Sequence, residues 1–396
     1  MRTGVLVLAL VTLALVACGD SPTAVDSTPV ADLSAARGGA PSVTGRFIVT
    51  ARDEAEPAAL ARDHGVRPDF VYRHALNGFA GSISEAAREG LLRDRRVLRV
   101  ERDGIARAIT DQAMDANGDP WGLDRIDDRS GLDQTYTYTA TGAGVIAYII
   151  DTGIWFTHGE FAGRASSDYF DVFTDGQNGK DCNGHGTHVA GTVGGTTYGV
   201  AKGVTLVAVR VLNCSGSGTW SGVIAGMDWV VGHHGTGRAI ANMSLGGGAN
   251  SSVDDAVRRM IGDGVATAVA AGNGNQGGIA QDACKYSPAR VAEAMTIGAT
   301  TKTDTKTSWS NYGKCVDWFA PGSGIRSAWK GSDEATNTIS GTSMASPHTA
   351  GVAALYLELY PGHSPATVAQ ALYDLTTKGV VTKSRTTKNH LLFTSY

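Results

Sequence analysis

The sequence predicts an α/β protein, a parallel sheet flanked by helices on both faces, preceded by a small α+β unit of ferredoxin-like order. Three observations carry that expectation. Short, nearly continuous apolar runs recur beyond residue 114, as strands buried on both faces require. Stretches of helical pattern fall between them, the alternation that covers a parallel sheet on both sides. Ahead of them, residues 45–110 read strand, helix, strand, strand, helix, strand.

The elements follow in chain order. Met1-Arg2-Thr3 precedes the apolar run Gly4–Ala17, too short for a mature membrane span and fit for the core of a signal peptide over residues 1–18. Leu15-Val16-Ala17-Cys18 also has the form of a bacterial lipobox, which would leave a lipid anchor on Cys18. Either way the chain is directed out of the cytoplasm. Residues 19–44, rich in Ser, Thr, Pro, Ala and Gly without a hydrophobic period, read as a disordered linker.

The small unit is placed at 45–113. Phe47-Ile48-Val49 is its first strand, Ala55–His64 a helix, and Asp69–Tyr72 and Phe79–Ile83 are extended. Ser84 caps a helix running to about Arg93, and Val97–Val100 closes the unit. The large unit is placed at 114–396. Its strands are Val145–Ile150, Leu206–Leu212, Ala239–Met243 and Val265–Ala270. Its helices are Val189–Val193, Gly222–Val231, Val253–Ile261 and Thr349–Leu359. Fifty-two glycines, many in clusters such as Gly246-Gly247-Gly248, point to tight turns and close backbone approach.

Charge narrows the partners. A net charge of −4 offers no basic field for nucleic acid. Residues 45–110 carry twelve Arg against ten acids, whereas residues 114–396 are net acidic, a sign difference that favours docking of the two units.

Open parallel sheets gather their chemistry beyond the carboxyl ends of the strands. Asp151 follows Val145–Ile150 directly, Ser244-Leu245-Gly246 follows Ala239–Met243, and Asn273 follows Val265–Ala270 through Ala271-Gly272. Gly184-His185-Gly186-Thr187-His188 opens a helix. Gly341-Thr342-Ser343-Met344-Ala345-Ser346-Pro347-His348 puts a serine at a helix start, beside backbone N–H groups suited to an anion.

These segments, with Asn242-Met243-Ser244-Leu245-Gly246-Gly247, resemble the subtilisin-like serine proteases, within them the proteinase K group and its aqualysin-like enzymes. The likeness runs from about Trp121 to Leu392. It implies a secreted serine endopeptidase, active as a monomer on proteins and peptides, with broad specificity and no catalytic cofactor. Ser343 would be the nucleophile and His185 its general base. Asp151 would hold the imidazole, and the Asn273 amide with the Ser343 N–H would receive the oxyanion. His188 and His348 occupy structural positions of the family. A metal reading of His185 and His188 fails because the HExxH acid is missing.

The resemblance implies more. Four cysteines beyond Cys18 permit three pairings, and the aqualysin-like pattern implies Cys182–Cys214 and Cys284–Cys315. Asp124, Asp127, Asp128 and Asp133 are either a solvated acidic turn or, as in related enzymes, a structural calcium site. A second calcium site maps to the Asp317 carboxylate with the Ala292 and Ala294 carbonyls. Gly216-Ser217-Gly218 and Ser244-Leu245-Gly246 would flank a substrate strand. Trp220 either lines the pocket four residues before the cut or is an exposed structural Trp, and Ala271-Gly272 borders the primary pocket. Residues 45–110 resemble the inhibitory propeptide, an intramolecular inhibitor removed by self-cleavage between about Thr110 and Asp115. Two rival classes are a catalytically inactive binding protein on this fold and an α/β-hydrolase esterase. The latter requires a Gly-x-Ser-x-Gly elbow that Ser343 does not have.

Overall fold

The apolar runs become strands of one sheet: Val145–Asp151 (β1), Ala165–Asp171 (β2), Thr205–Arg210 (β3), Arg238–Met243 (β4), Val265–Ala270 (β5), Met295–Thr300 (β6) and Trp318–Pro321 (β7). The computed structural model describes residues 31–32, 42–72, 77–104, 110–113, 119–275 and 277–396. They fall into two units, one within residues 1–106 and one within 107–396. The signal-peptide and Cys18 segment lies outside the described residues.

In the larger unit the strand order is β7-β6-β5-β4-β1-β3-β2, every neighbouring pair parallel. Within the sheet the chain goes from the interior strand β1 to the edge strand β2, returns to place β3 between them, then crosses β1 and builds outward from β4 to β7 on the other side. Side chains of β1 alternate. Val145, Ala147 and Ile149 enter one core layer, while Tyr148 and Ile150 enter the other. A strand buried on both faces has no polar alternation, which is why these runs read as continuously apolar.

Helices cover both layers. Trp121–Asp127 (α1), His185–Gly194 (α2), Trp220–His233 (α3), Ser251–Gly262 (α4), Thr342–Leu359 (α5) and Pro365–Leu375 (α6) supply the cover. Residues of α2 and α5 pack on one layer, and residues of α3 and α4 on the other. Among the described residues no helix is long and apolar enough to cross a membrane.

Three strands of this sheet are not among those the sequence predicts. β2 is an edge strand, Ala-Ser-Ser-Asp-Tyr-Phe-Asp, with no buried residue to set a period. β6 is interrupted in pattern by Gly298, where a Cβ would lie 2.4 Å from the Phe319 ring, so β7 demands the glycine. β7 is four residues long and ends in proline at the other edge. Helix α5 begins at Thr342, not Thr349, and carries Pro347 inside it. Proline lacks the N–H that would bond the Ser343 carbonyl one turn back, a loss that ordinarily breaks a helix. Here another donor meets that carbonyl, as described below.

The smaller unit holds strands Ser42–Ala51, Phe70–Tyr72, Gly78–Ser82 and Val97–Gly104 with helices Pro57–Asp63 and Glu85–Leu92, the expected order. Ser84 caps its helix through Oγ, which accepts from Ala87 N at 3.2 Å. Two boundaries differ from expectation. Ala31–Asp32 pairs with Arg99–Val100 and the first long strand starts at Ser42, both inside the stretch read as linker. Ladder hydrogen bonds use backbone alone, so no hydrophobic period announces them. Thr110–Ala113 pairs antiparallel with Thr135–Tyr138 and so falls, by its contacts, in the larger unit.

Candidate active site

Asp151 is the last residue of β1 and fully buried. Its Oδ1 accepts from His185 Nδ1 at 2.7 Å and from Thr152 N at 2.8 Å. A carboxylate at neutral pH only accepts, so Nδ1 carries the proton and Nε2 is left as the basic nitrogen. Burial pulls the imidazole pKa down. The charge and hydrogen bond of Asp151, with the charge of Asp181, outweigh it and hold His185 above its ordinary 6.5.

The position of His185 is built from below by Asp181, which the sequence reading missed. This buried carboxylate accepts from Asn183 N, Gly184 N, Thr187 N, Thr187 Oγ1 and Thr152 Oγ1, at 2.6–2.9 Å. Thr152 Oγ1 in turn accepts from Gly186 N at 2.8 Å, joining the start of α2 to the end of β1. Asp ahead of Asn-Gly at a helix start was the available signal. Gly184 sits at φ +113° with Trp329 packed where its Cβ would be, so no other residue fits there.

Ser343 lies in the first turn of α5. Its Oγ donates to the Ser244 carbonyl at 3.1 Å, and Ser244 Oγ donates to the Ser343 carbonyl at 2.7 Å. That second bond serves the carbonyl which Pro347 leaves without a helical partner. Asn242 Nδ2 donates to Ser244 Oγ at 2.9 Å, and Asn242 Oδ1 accepts from Ser346 Oγ at 2.7 Å. A buried polar chain thus fastens the start of α5 to the end of β4.

Asn273 is held by its oxygen. Oδ1 accepts from Thr342 N and Thr342 Oγ1, both at 2.8 Å, which turns Nδ2 the other way. A Cβ on Gly341 would lie 3.3 Å from Asn273 Nδ2 and 3.5 Å from Ser343 N. Two N–H donors therefore converge on one small space that glycine keeps clear. Two donors beside a serine hydroxyl can stabilise a negative oxygen formed by attack on a carbonyl.

Two clefts share the Ser244–Gly247 segment. One of about 620 Å³ brings together His185, Gly216, Ser217, Gly218, Trp220 and Ser244-Leu245-Gly246. Trp220 is the first residue of α3 and packs where a Gly247 Cβ would be, so it lines the cleft. A second cleft, about 200 Å³, is bounded by Ala271, Gly272, Asn273, Ser343 and the Ser244–Gly247 segment. The loop beyond Asn273 is closed on Asn311, whose Oδ1 accepts from Gly274 N and Gln281 N. His188 and His348 are buried on carbonyls of Ile325 and Met344, and burial drives their pKa values down to about 3 and about 4. They are structural and neutral. Disulfides join Cys182 to Cys214 and Cys284 to Cys315, the implied pairing.

The two expected cation sites fare differently. Asp124, Asp128 and Asp133 offer carboxylate oxygens within 4.8 Å of one another, and Asp128 Oδ2 is buried without a hydrogen-bond partner. Burial, with repulsion from Asp133, pushes the Asp124 and Asp128 pKa values up. This oxygen set suits a hard cation. Asp127 stands outside it, its Oδ2 taken by Thr137 N at 2.6 Å. At the second site Ala292, Ala294 and Asp317 do share a cleft, but Lys388 shares it too. Its Nζ donates to Asp317 Oδ1 at 2.7 Å, and Thr296 N donates to Oδ2 at 3.0 Å. The ammonium holds the oxygen a divalent ion would use, so these residues do not fit one.

Comparison with known proteins agrees with the geometry. Residues 142–391 match the subtilase family model, described as Peptidase S8, and residues 49–108 match the peptidase inhibitor I9 model. The chain is 48% identical to an extracellular serine proteinase of a Thermus species, with all of both chains covered. It is 49% identical to alkaline serine exoprotease A of Vibrio alginolyticus, over 83% of this chain and 61% of the other. A solved structure of a cold-adapted subtilisin-like serine proteinase is 51% identical with TM-score 0.65, covering 69% of this chain and 97% of its own.

Proposed function

Since the chain belongs to the subtilase family, a secreted serine endopeptidase with an I9 inhibitor propeptide, we propose that Ser343, His185, Asp151 and Asn273 divide its catalysis among them. What supports the reading is that the Asp151–His185 hydrogen bond and the converging Asn273 amide and Ser343 N–H border two clefts that share the Ser244–Gly247 segment.

The steps follow from those positions. Rotation about Cα–Cβ takes the Ser343 hydroxyl from the Ser244 carbonyl toward His185 Nε2. Nε2 accepts the proton as Oγ attacks the peptide carbonyl. The oxyanion settles between Asn273 Nδ2–H and Ser343 N–H, while Asp151 stabilises the imidazolium. Nε2–H then protonates the leaving amine, and an acyl-enzyme remains. Water attacks the ester by the same route in reverse, with His185 again as base. The substrate strand runs between Gly216–Gly218 and Ser244–Gly246, so recognition is largely through main chain. Trp220 favours apolar or aromatic groups four residues before the cut.

The I9 segment is an intramolecular inhibitor, and the finer proposal is that the enzyme removes it itself between about Thr110 and Asp115. Thr110–Ala113 is paired with Thr135–Tyr138, so that pairing has to open for the segment to reach Ser343. A structural calcium held by Asp124, Asp128 and Asp133 would stabilise the fold and take no part in the chemistry. Lipidation of Cys18 finds no support in the relatives. Expression of full-length Ser343→Ala tests the reading: the precursor stays at its full processed-export length. Trimming of the pure variant in the 110–115 region would overturn self-cleavage.

A further inference from the structure

We propose that Lys388 is the resident cation of the Asp317 cleft, a fixed ammonium in place of a divalent ion. The cleft, about 390 Å³, has Ala292, Ala294, Asp317, Tyr373 and Lys388 among its lining residues, together with Glu293, whose carboxylate pairs with Arg258 at 3.3 Å. Both Asp317 oxygens are used, Oδ1 by Lys388 Nζ and Oδ2 by Thr296 N. A divalent ion bound to that carboxylate would sit roughly 2.3–2.6 Å from its oxygen, inside the space of an ammonium at 2.7 Å. The two therefore compete for that oxygen.

The lysine is delivered by a pinned segment. Phe319 N donates to the His390 carbonyl at 2.9 Å, Leu392 N to the Phe319 carbonyl at 2.8 Å, and Val381 N to the Asn389 carbonyl at 3.1 Å. Lys388 N is itself held by Thr386 Oγ1 at 3.2 Å. An ammonium on such a segment ties the chain after α6 to Asp317, the residue before β7. An ion coordinated by residues 292, 294 and 317 would not reach that segment. The stabilisation also becomes independent of free calcium, because a covalently attached cation has no concentration term.

The test uses the full-length chain carrying Ser343→Ala, which cannot digest itself. Calcium bound per chain is measured by equilibrium dialysis for that parent, for Asp317→Asn, for Lys388→Met, and for the Asp317→Asn/Lys388→Met pair. The expected result is equal stoichiometry in the parent and Asp317→Asn, one further calcium in Lys388→Met, and loss of that calcium in the double variant. Calcium should raise the Tm of Lys388→Met by several degrees more than that of the parent. A parent that loses a calcium on Asp317→Asn overturns the proposal. So does a folded Lys388→Met that gains none. Should Lys388→Met fail to fold, the parent and Asp317→Asn comparison decides alone.

Discussion

Ser244 and Ser343 hydrogen-bond each other twice, each hydroxyl donating to the other's carbonyl at 2.7 and 3.1 Å. The shorter bond meets the carbonyl orphaned by Pro347, and so lets α5 begin early enough to carry the nucleophile. The longer one parks the nucleophile's hydroxyl. The helix start and the strand end are locked through one pair of residues.

Ser244→Ala removes both the donor to Ser343 and the acceptor of Asn242 Nδ2. Each buried group left unpaired costs about 1–3 kcal/mol. The expected outcome is a kcat lowered about tenfold or more with little change in KM, and a lower Tm by calorimetry. Ser244→Thr, which keeps the hydroxyl, should recover most of both.

Asn273→Ala deletes an oxyanion donor. Loss of such a donor in subtilisin costs roughly 100- to 1,000-fold in kcat, and the same range is expected here. Thr342→Val removes the hydroxyl that donates to Asn273 Oδ1 and accepts from Gly272 N, leaving the bond from Thr342 N to Asn273 in place. Steady-state kinetics on a peptide amide should show a smaller fall for it, again in kcat.

The acid limb of kcat/KM should lie above pH 6.5. His185 works only when neutral, since an imidazolium cannot take the Ser343 proton. Its pKa is held up mainly against burial by Asp151, then by Asp181. Activity is therefore full above that pKa and lost as pH falls through it. Asp151→Asn removes a negative charge, so the limb should move to lower pH while turnover drops about 10⁴-fold. A limb unmoved by that change would separate the profile from His185.

Chelation should destabilise the fold through the Asp124, Asp128 and Asp133 cluster. A ligand held at a hundred times its dissociation constant contributes about 2.7 kcal/mol. In a unit of this size that is a Tm change of roughly 4 °C. Thermal denaturation of the Ser343→Ala chain with and without chelator should show it, and Asp124→Asn should abolish the difference. An unchanged Tm removes the site.

Much of this was legible in the sequence because the relevant signals were local. Asp151 and Ser244 follow apolar runs directly and Asn273 follows one through Ala271-Gly272, so their shared rim follows from strand direction alone. The Ser84 cap and the order of the six elements of the small unit follow from period and capping, although the first strand begins five residues earlier and the last runs four residues further than the pattern shows. What stayed hidden was set by partners distant in the chain. Gly298 reads as a break in β6 until Phe319 is packed on it. Asp181 looks like any turn former until five donors converge on its carboxylate. Lys388 stands 71 positions from Asp317, so their pairing leaves no trace in either segment.

The most direct measurement is intact-mass and peptide mapping after reaction with a fluorophosphonate, which phosphonylates an activated serine. A single adduct on Ser343 is expected in the mature enzyme, with proteolysis of casein lost in proportion to labelling, and almost no adduct in His185→Ala. An unlabelled Ser343 in a preparation that still cuts casein, or a stoichiometric adduct on another residue, would contradict the account.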